Sequence, residues 1–170
     1  MILDYIRYYG EDAIGGVQFV GAVTKLGSEE ALSVMTPELL TIFSGLLSTN
    51  VSESVASLGT LLRLCFANEL CAEDHFRMLG YSLSVPPYVR QGLFSRTLSN
   101  DDLLPNLRKP MLITHGERDA VVKPVAATKH KAAVKHAELD MMQGIGHACF
   151  WDDAAAFNLR QRAFVTQLNT

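Results

Sequence analysis

The stretch Met111-Leu112-Ile113-Thr114-His115-Gly116-Glu117-Arg118-Asp119 decides the fold, together with its sequel Ala137-Glu138-Leu139-Asp140-Met141-Met142 and the turn Gly144-Ile145-Gly146-His147. The first begins after Lys109-Pro110 as a short apolar run and ends at a glycine, the pattern of a buried strand. The second alternates and then breaks at two glycines, which reads as a strand and its exit loop. Pro124 to Val134, between them, is a lysine-rich helical stretch. Strand, helix, strand in that order predicts parallel neighbours, because a parallel connection needs a crossover of about this length.

Working upstream, Gly16-Val17-Gln18-Phe19-Val20-Gly21 is another short, β-branched, glycine-bounded run and is expected to be a buried strand. Before it, Ile2, Leu3, Ile6 and Tyr9 fall at helical spacing, with Gly10 as a stop. Ala22 to about Leu107 shows no strand pattern and several helical ones. Thr36-Pro37-Glu38 supplies a capping hydroxyl, a first-turn proline and an early carboxylate. Further helices are expected over about 52–67, 72–83 and 87–96, the last after Val85-Pro86. Downstream, Asp152 is read as the cap of a final helix carrying Phe157, Phe164 and Leu168 on one face. The expected class is α/β: a partial parallel sheet of about three strands, flanking helices and an inserted helical segment.

The chain has 170 residues and is 48% hydrophobic, enough for one core and too short to suggest two independent domains. Its formal net charge of -3 leaves no cationic excess to neutralise a phosphate backbone or an anionic bilayer, so neither nucleic acid nor membrane is an expected partner. No apolar run reaches the roughly 18 to 20 residues that span a bilayer, and the first residues do not read as a signal peptide. Three cysteines, Cys65, Cys71 and Cys149, match a reducing compartment better than a disulfide framework, and a cytoplasmic location is expected.

In an open parallel sheet, reacting groups gather at the carboxyl ends of the strands. Asp119 and His147 both stand there, one βα unit apart. Singly, Asp119 is a turn or cap residue and His147 a loop histidine; together they suit a carboxylate that orients an imidazole and stabilises it once protonated. His115 is expected to be structural, His75, His130 and His136 solvated, and Lys123, Lys129, Lys131 and Lys135 part of an exposed helix face. Cys65 and Cys71 match no zinc spacing and read as core thiols, and Cys149 has no second metal ligand near it. Leu39, Phe43, Leu62, Phe66, Met78 and Leu79 read as helical core, part of which could line an acyl pocket.

Leu112 to Asp119 and Gly144 to His147 resemble the acid and histidine loops of the α/β-hydrolase family. Asp101-Leu103-Leu104, Val121-Val122-Lys123-Pro124 and Trp151-Asp152-Asp153 are similar to its flanking pattern. The resemblance implies that 1–21 and 108–170 form the C-terminal part of the hydrolase core, with 22–107 as a helical cap. It also implies a catalytic triad in which Asp119 and His147 are two members, and a reaction that needs no cofactor or metal. One feature of the family is missing: no Gly-x-Ser-x-Gly occurs, nor a Cys or Asp in that glycine frame. The resemblance therefore places the nucleophile a few residues before Met1, with the oxyanion hole earlier still, and the isolated chain is expected not to turn over. Two readings follow. One is a serine-type hydrolase of a small or medium apolar ester, lactone or related carbonyl compound, completed by an N-terminal half. The other is a truncated, non-catalytic relic serving as an interaction module. In both, the bare edge of strand 16–21 invites self-association or binding to an N-terminal fragment.

Overall fold

The computed structural model describes residues 1–168; positions 169 and 170, which close the expected core segment, lie outside the described residues. In chain order the elements are α1 (Ile2–Tyr9), β1 (Val17–Val20), β2 (Lys25–Leu26), α2 (Glu29–Ser33), α3 (Pro37–Leu46), α4 (Val51–Cys65), α5 (Ala72–Leu83), α6 (Pro87–Phe94), β3 (Leu98–Ser99), β4 (Met111–Gly116), α7 (Val125–Ala133), β5 (Glu138–Met142), α8 (Cys149–Asp152) and α9 (Ala154–Gln167). The chain is α/β, with β1, β4 and β5 forming a three-stranded parallel sheet in that order. Phe19 pairs with Ile113 and Thr114 with Asp140.

Every residue of the central strand β4 is buried, as expected of a strand covered on both faces. Leu3 and Ile6 of α1, Val17 and Phe19 of β1, and Ala127 and Val134 around α7 close over Met111 and Ile113 to form the main core. A second core joins Leu39 and Leu46 of α3 and Leu58 of α4 to Val121 and Val122, just past β4. Helices α3 and α4 thus rest on the loop that follows the central strand, with Leu79 and Leu83 of α5 packed against the same core. α3 begins as the sequence indicates, with the Thr36 hydroxyl accepting the Leu39 N–H and Pro37 in the first turn.

The structure corrects several expectations. Two strands lie inside the supposedly strand-free segment: β2 and β3 form a two-residue antiparallel ladder that joins its two ends. Residues that pair across more than 70 positions leave no periodicity in two letters each. Of β5 only Met142 is buried, so its alternation is not a core-and-solvent alternation; the strand is the sheet edge, with Arg160 of α9 paired to Glu138. His130 is buried, its ring edge-on to Phe19 and its Nε2 3.3 Å from the Thr24 hydroxyl. Burial holds its pKa below the usual histidine value, against the opposing pull of Asp101. Cys71 is exposed and caps α5, its sulfur accepting the Asp74 N–H. Asp153, not Asp152, caps the last helix. Among the described residues no helix is long and apolar enough to cross a membrane.

Candidate active site

β4 ends at Gly116, and the next three residues turn so that Asp119 N–H donates back to Gly116 O at 3.2 Å. The Asp119 carboxylate closes this turn on itself: Oδ1 accepts the N–H groups of Val121 and Val122, each at 2.8 Å. The turn is also fastened to the segment before α3. Thr36 N–H donates to Val121 O, Lys123 N–H to Val34 O, and the Thr36 hydroxyl to Ala120 O.

The histidine loop lies against the acid loop. Glu117 N–H donates to Met142 O and Arg118 N–H to Ile145 O, both at 2.9 Å. Gly116 permits this approach, since a Cβ there would stand 2.0 Å from Gly146 O. Asp119 and His147, the two candidates named from sequence, are brought together: Asp119 Oδ2 accepts the His147 Nδ1–H at 2.8 Å. With its proton on Nδ1, His147 keeps Nε2 as its basic nitrogen. The Asp119 side chain is wholly buried, while that of His147 is 29% exposed. Gly21, at the end of β1, has φ +51, and a Cβ there would lie 2.9 Å from both Cε1 and Nδ1 of His147. Only glycine takes that conformation readily and leaves the ring its place.

Sequence reasoning placed His115 in a structural role and missed its partner. Its Nε2 lies 3.0 Å from Asp119 Oδ2 and 3.0 Å from Val122 O. Both neighbours are acceptors, so the ring carries its proton on Nε2 and shares it between them. The carboxylate therefore has two imidazole donors and two backbone donors. Burial opposes ionisation of Asp119, but the bonds from His115 and His147, with the Val122 amide, outweigh it and hold the carboxyl well below the usual carboxylate range. The only sequence signal for His115 was its place at the end of the acid strand.

His147 opens onto a cavity of about 320 Å³ lined by Met35, Leu39, Phe43, Leu58, Phe94 and Val121 among others. Of the apolar helical residues named from sequence, Leu39 and Phe43 reach it; Leu62 and Phe66 line a different groove, between α4 and α5. Cys65 also lines the cavity, yet burial and the charges of Asp119 and Asp152 push its thiol up to about 12. Burial and Asp119 likewise raise Cys149 to about 11. At both positions burial disfavours the thiolate that a cysteine nucleophile needs. Ser44 lies within α3. Ser82, in the glycine-led run Gly80-Tyr81-Ser82, lies within α5 and donates to Met78 O. Neither serine follows a strand, as a nucleophile elbow must. No group of His, Cys, Asp and Glu able to hold a metal ion occurs among the described residues.

No protein-family model matches this sequence, and no curated protein matches it. Solved structures do. The esterase RhEst1 from Rhodococcus sp. ECU1013 is 29% identical, with a TM-score of 0.87 over 98% of this chain and 61% of that one. A bromoperoxidase from Bacillus anthracis is 21% identical, with a TM-score of 0.79 over 97% of this chain and 63% of that one. MGS-M2, an alpha/beta hydrolase enzyme from a Medee basin deep-sea metagenome library, is 18% identical, with a TM-score of 0.73 over 97% of this chain and 60% of that one. The chain carries part of the α/β-hydrolase fold, and spans less than two thirds of the length of these structures.

Proposed function

We propose that this part of an α/β-hydrolase fold is the acid-and-histidine portion of a serine-type hydrolase acting on a small or medium apolar ester, lactone or related carbonyl compound. The observation that carries the reading is the Asp119–His147 pair at the wall of an apolar cavity. His147 Nε2 would take the proton of an attacking serine and return it to the leaving group, while Asp119 stabilises the imidazolium formed between the two steps. The serine and the oxyanion-stabilising N–H groups would come from polypeptide outside these residues. Helices α2 to α6 would serve as the cap, their apolar faces meeting the acyl or alkyl group. The cavity of about 320 Å³ is the part of such a site that these residues supply, within the roughly 300–1,000 Å³ of small-molecule sites.

A serine-directed phosphonate probe with an ester substrate tests this. The 170-residue chain is expected to take no label and hydrolyse nothing, and a form extended upstream through a Gly-x-Ser-x-Gly segment to do both. Labelling of the 170-residue chain would overturn the assignment of the nucleophile, and a silent extended form would overturn the hydrolase reading.

The sheet edge favours association. Among the described residues β1 pairs only through β4, and beside it a groove of about 400 Å³ is lined by Ile2, Gln18, Val20, Val23 and Leu98 among others. An unpaired strand edge bordered by apolar surface recruits another strand. The isolated chain is expected to elute larger than a monomer in size-exclusion light scattering at micromolar concentration. A single sharp monomer peak would count against it.

A further inference from the structure

We infer that Asp152 is a positioning residue that ties the His147 loop to the end of α4, so that the helical block and the histidine move together. In what it says of turnover, this rests on the hydrolase reading above. Asp152 Oδ2 accepts two backbone N–H groups, Gly146 at 2.8 Å and Ala67 at 2.9 Å. In return Ala148 N–H donates to Cys65 O at 2.8 Å. The residues immediately before and after His147 are thus each bonded, directly or through one carboxylate oxygen, to the chain leaving α4. Cys65 O is one of the carbonyls that a helix end leaves without an internal partner, and the histidine loop supplies the donor. The approach admits no side chain at Gly146, where a Cβ would meet Ala67 N at 2.7 Å and Cys65 O at 3.0 Å. Trp151 packs edge-on against Phe66 beside the clamp.

The two halves of the acid–base pair are therefore held differently. Asp119 is fixed by its own turn and by the segment before α3. His147 is held from two sides, by Arg118 N–H on Ile145 O of its loop and by the clamp to α4. A displacement of the α4 end relative to the acid loop would pull on Gly146 and Ala148 and strain the His147 Nδ1–H bond to Asp119. Seating of the α4 end therefore helps to set the position of the base.

The test uses Asp152→Ala and Asp152→Asn, the second keeping an oxygen acceptor without the charge. In the 170-residue chain, D152A is expected to speed amide exchange at both Ala67 and Gly146 by roughly 10-fold or more while β4 amides stay protected. It should also broaden or shift the His147 Nδ1 proton resonance. D152N should speed both amides by about 3-fold, since charge-assisted bonds are about twice as strong as neutral ones, and should leave the resonance in place. In an upstream-extended form, D152A should lower kcat by about 100-fold with KM little changed, the effect of an ångström-scale misplacement, and D152N should recover most of it. Wild-type exchange and an unshifted resonance in D152A would overturn the clamp whatever the ester assay gives. Should D152A not fold, D152N decides, because exchange that rises at neither amide overturns the clamp equally. Changes at both amides and the ring, in a protein whose extended form hydrolyses no ester, would uphold the clamp and discard the hydrolase reading.

Discussion

Asparagine at position 119 is expected to lower kcat of an upstream-extended form by about 10⁴-fold while leaving the backbone in place, the size of effect known for a triad aspartate replaced by its amide. The asparagine Oδ1 can still accept Val121 and Val122, but its NH₂ then faces the Nδ1 of His147 and the Nε2 of His115, where Asp119 Oδ2 accepts both. His147 must answer with an unprotonated Nδ1, which moves its proton to Nε2 and removes the base. His115 is left with Val122 O alone on that side. The same variant should lose about 3 kcal/mol of stability near neutral pH, the order expected when hydrogen bonds to a buried charge are lost. The sign of the pH dependence follows from the depressed carboxyl. Stabilisation by Asp119 is fully present above its unfolded value of roughly 3.9 and is lost as pH falls through the lower folded value. The wild-type advantage should therefore hold down to about pH 4 and shrink in stronger acid. Urea unfolding at pH 7, 4 and 2.5 measures the stability difference, and ¹⁵N chemical shifts of His147 report the tautomer. An unchanged tautomer in the amide variant, or an advantage that grows below pH 4, would refute the role given to Asp119.

The parts of this arrangement that were legible in the sequence are those written in consecutive residues. β4 declares itself by an apolar run closed with Gly116, and the histidine loop by Gly144 and Gly146; a polar residue directly after each strand is then visible without knowing what it touches. Asp119 and His147 could be paired on that basis because parallel topology puts successive strand ends side by side. Arg90 and Asp152 could not. Asp152 has the look of a helix cap, and its two bonds run to Gly146 and, across 85 positions, to Ala67. Arg90 sits in α6, an amphipathic helix where an arginine is ordinarily solvated, and its partners are backbone carbonyls, which any sequence provides, and the Ser54 hydroxyl, 36 positions away. His130 has the look of a solvated helix residue because its burial depends on Phe19 and Thr24, more than 100 positions away. What the pattern lacks in each case is the identity of the distant surface that covers the residue. Local periodicity reports that a face exists, and only tertiary contact says which polar groups end inside it.

Arg90 carries the largest expected effect on stability. Its guanidinium is buried, and no carboxylate pairs with it among the described residues. Instead Nε donates to Leu46 O at 2.8 Å, Nη1 to Val85 O at 2.6 Å, and Nη2 to the Ser54 hydroxyl at 2.6 Å. Leu46 is the last residue of α3, and Val85 lies just beyond α5. The charge therefore stands between two helix C-termini, whose unsatisfied carbonyls form the negative ends of the helix dipoles. One planar fork of five donors thus joins α3, α4, α5 and α6, a task for which a lysine has neither the reach nor the geometry. Arg90→Met, which keeps most of the apolar stem, should cost about 3 to 5 kcal/mol, because at least three buried acceptors lose their donor at about 1 to 3 kcal/mol each, less what entering water restores. For a chain of this length that corresponds to a fall in Tm of about 10 °C. Arg90→Lys should fall between the two. The damage should begin in the helical block: hydrogen exchange in α3 to α5 should accelerate at temperatures where β4 remains protected, and the apolar cavity beside His147 should open with it. A Tm for Arg90→Met within about 1 °C of wild type would mean that water or side-chain rearrangement satisfies those carbonyls as well as arginine does, and that the fork is not what holds the block together.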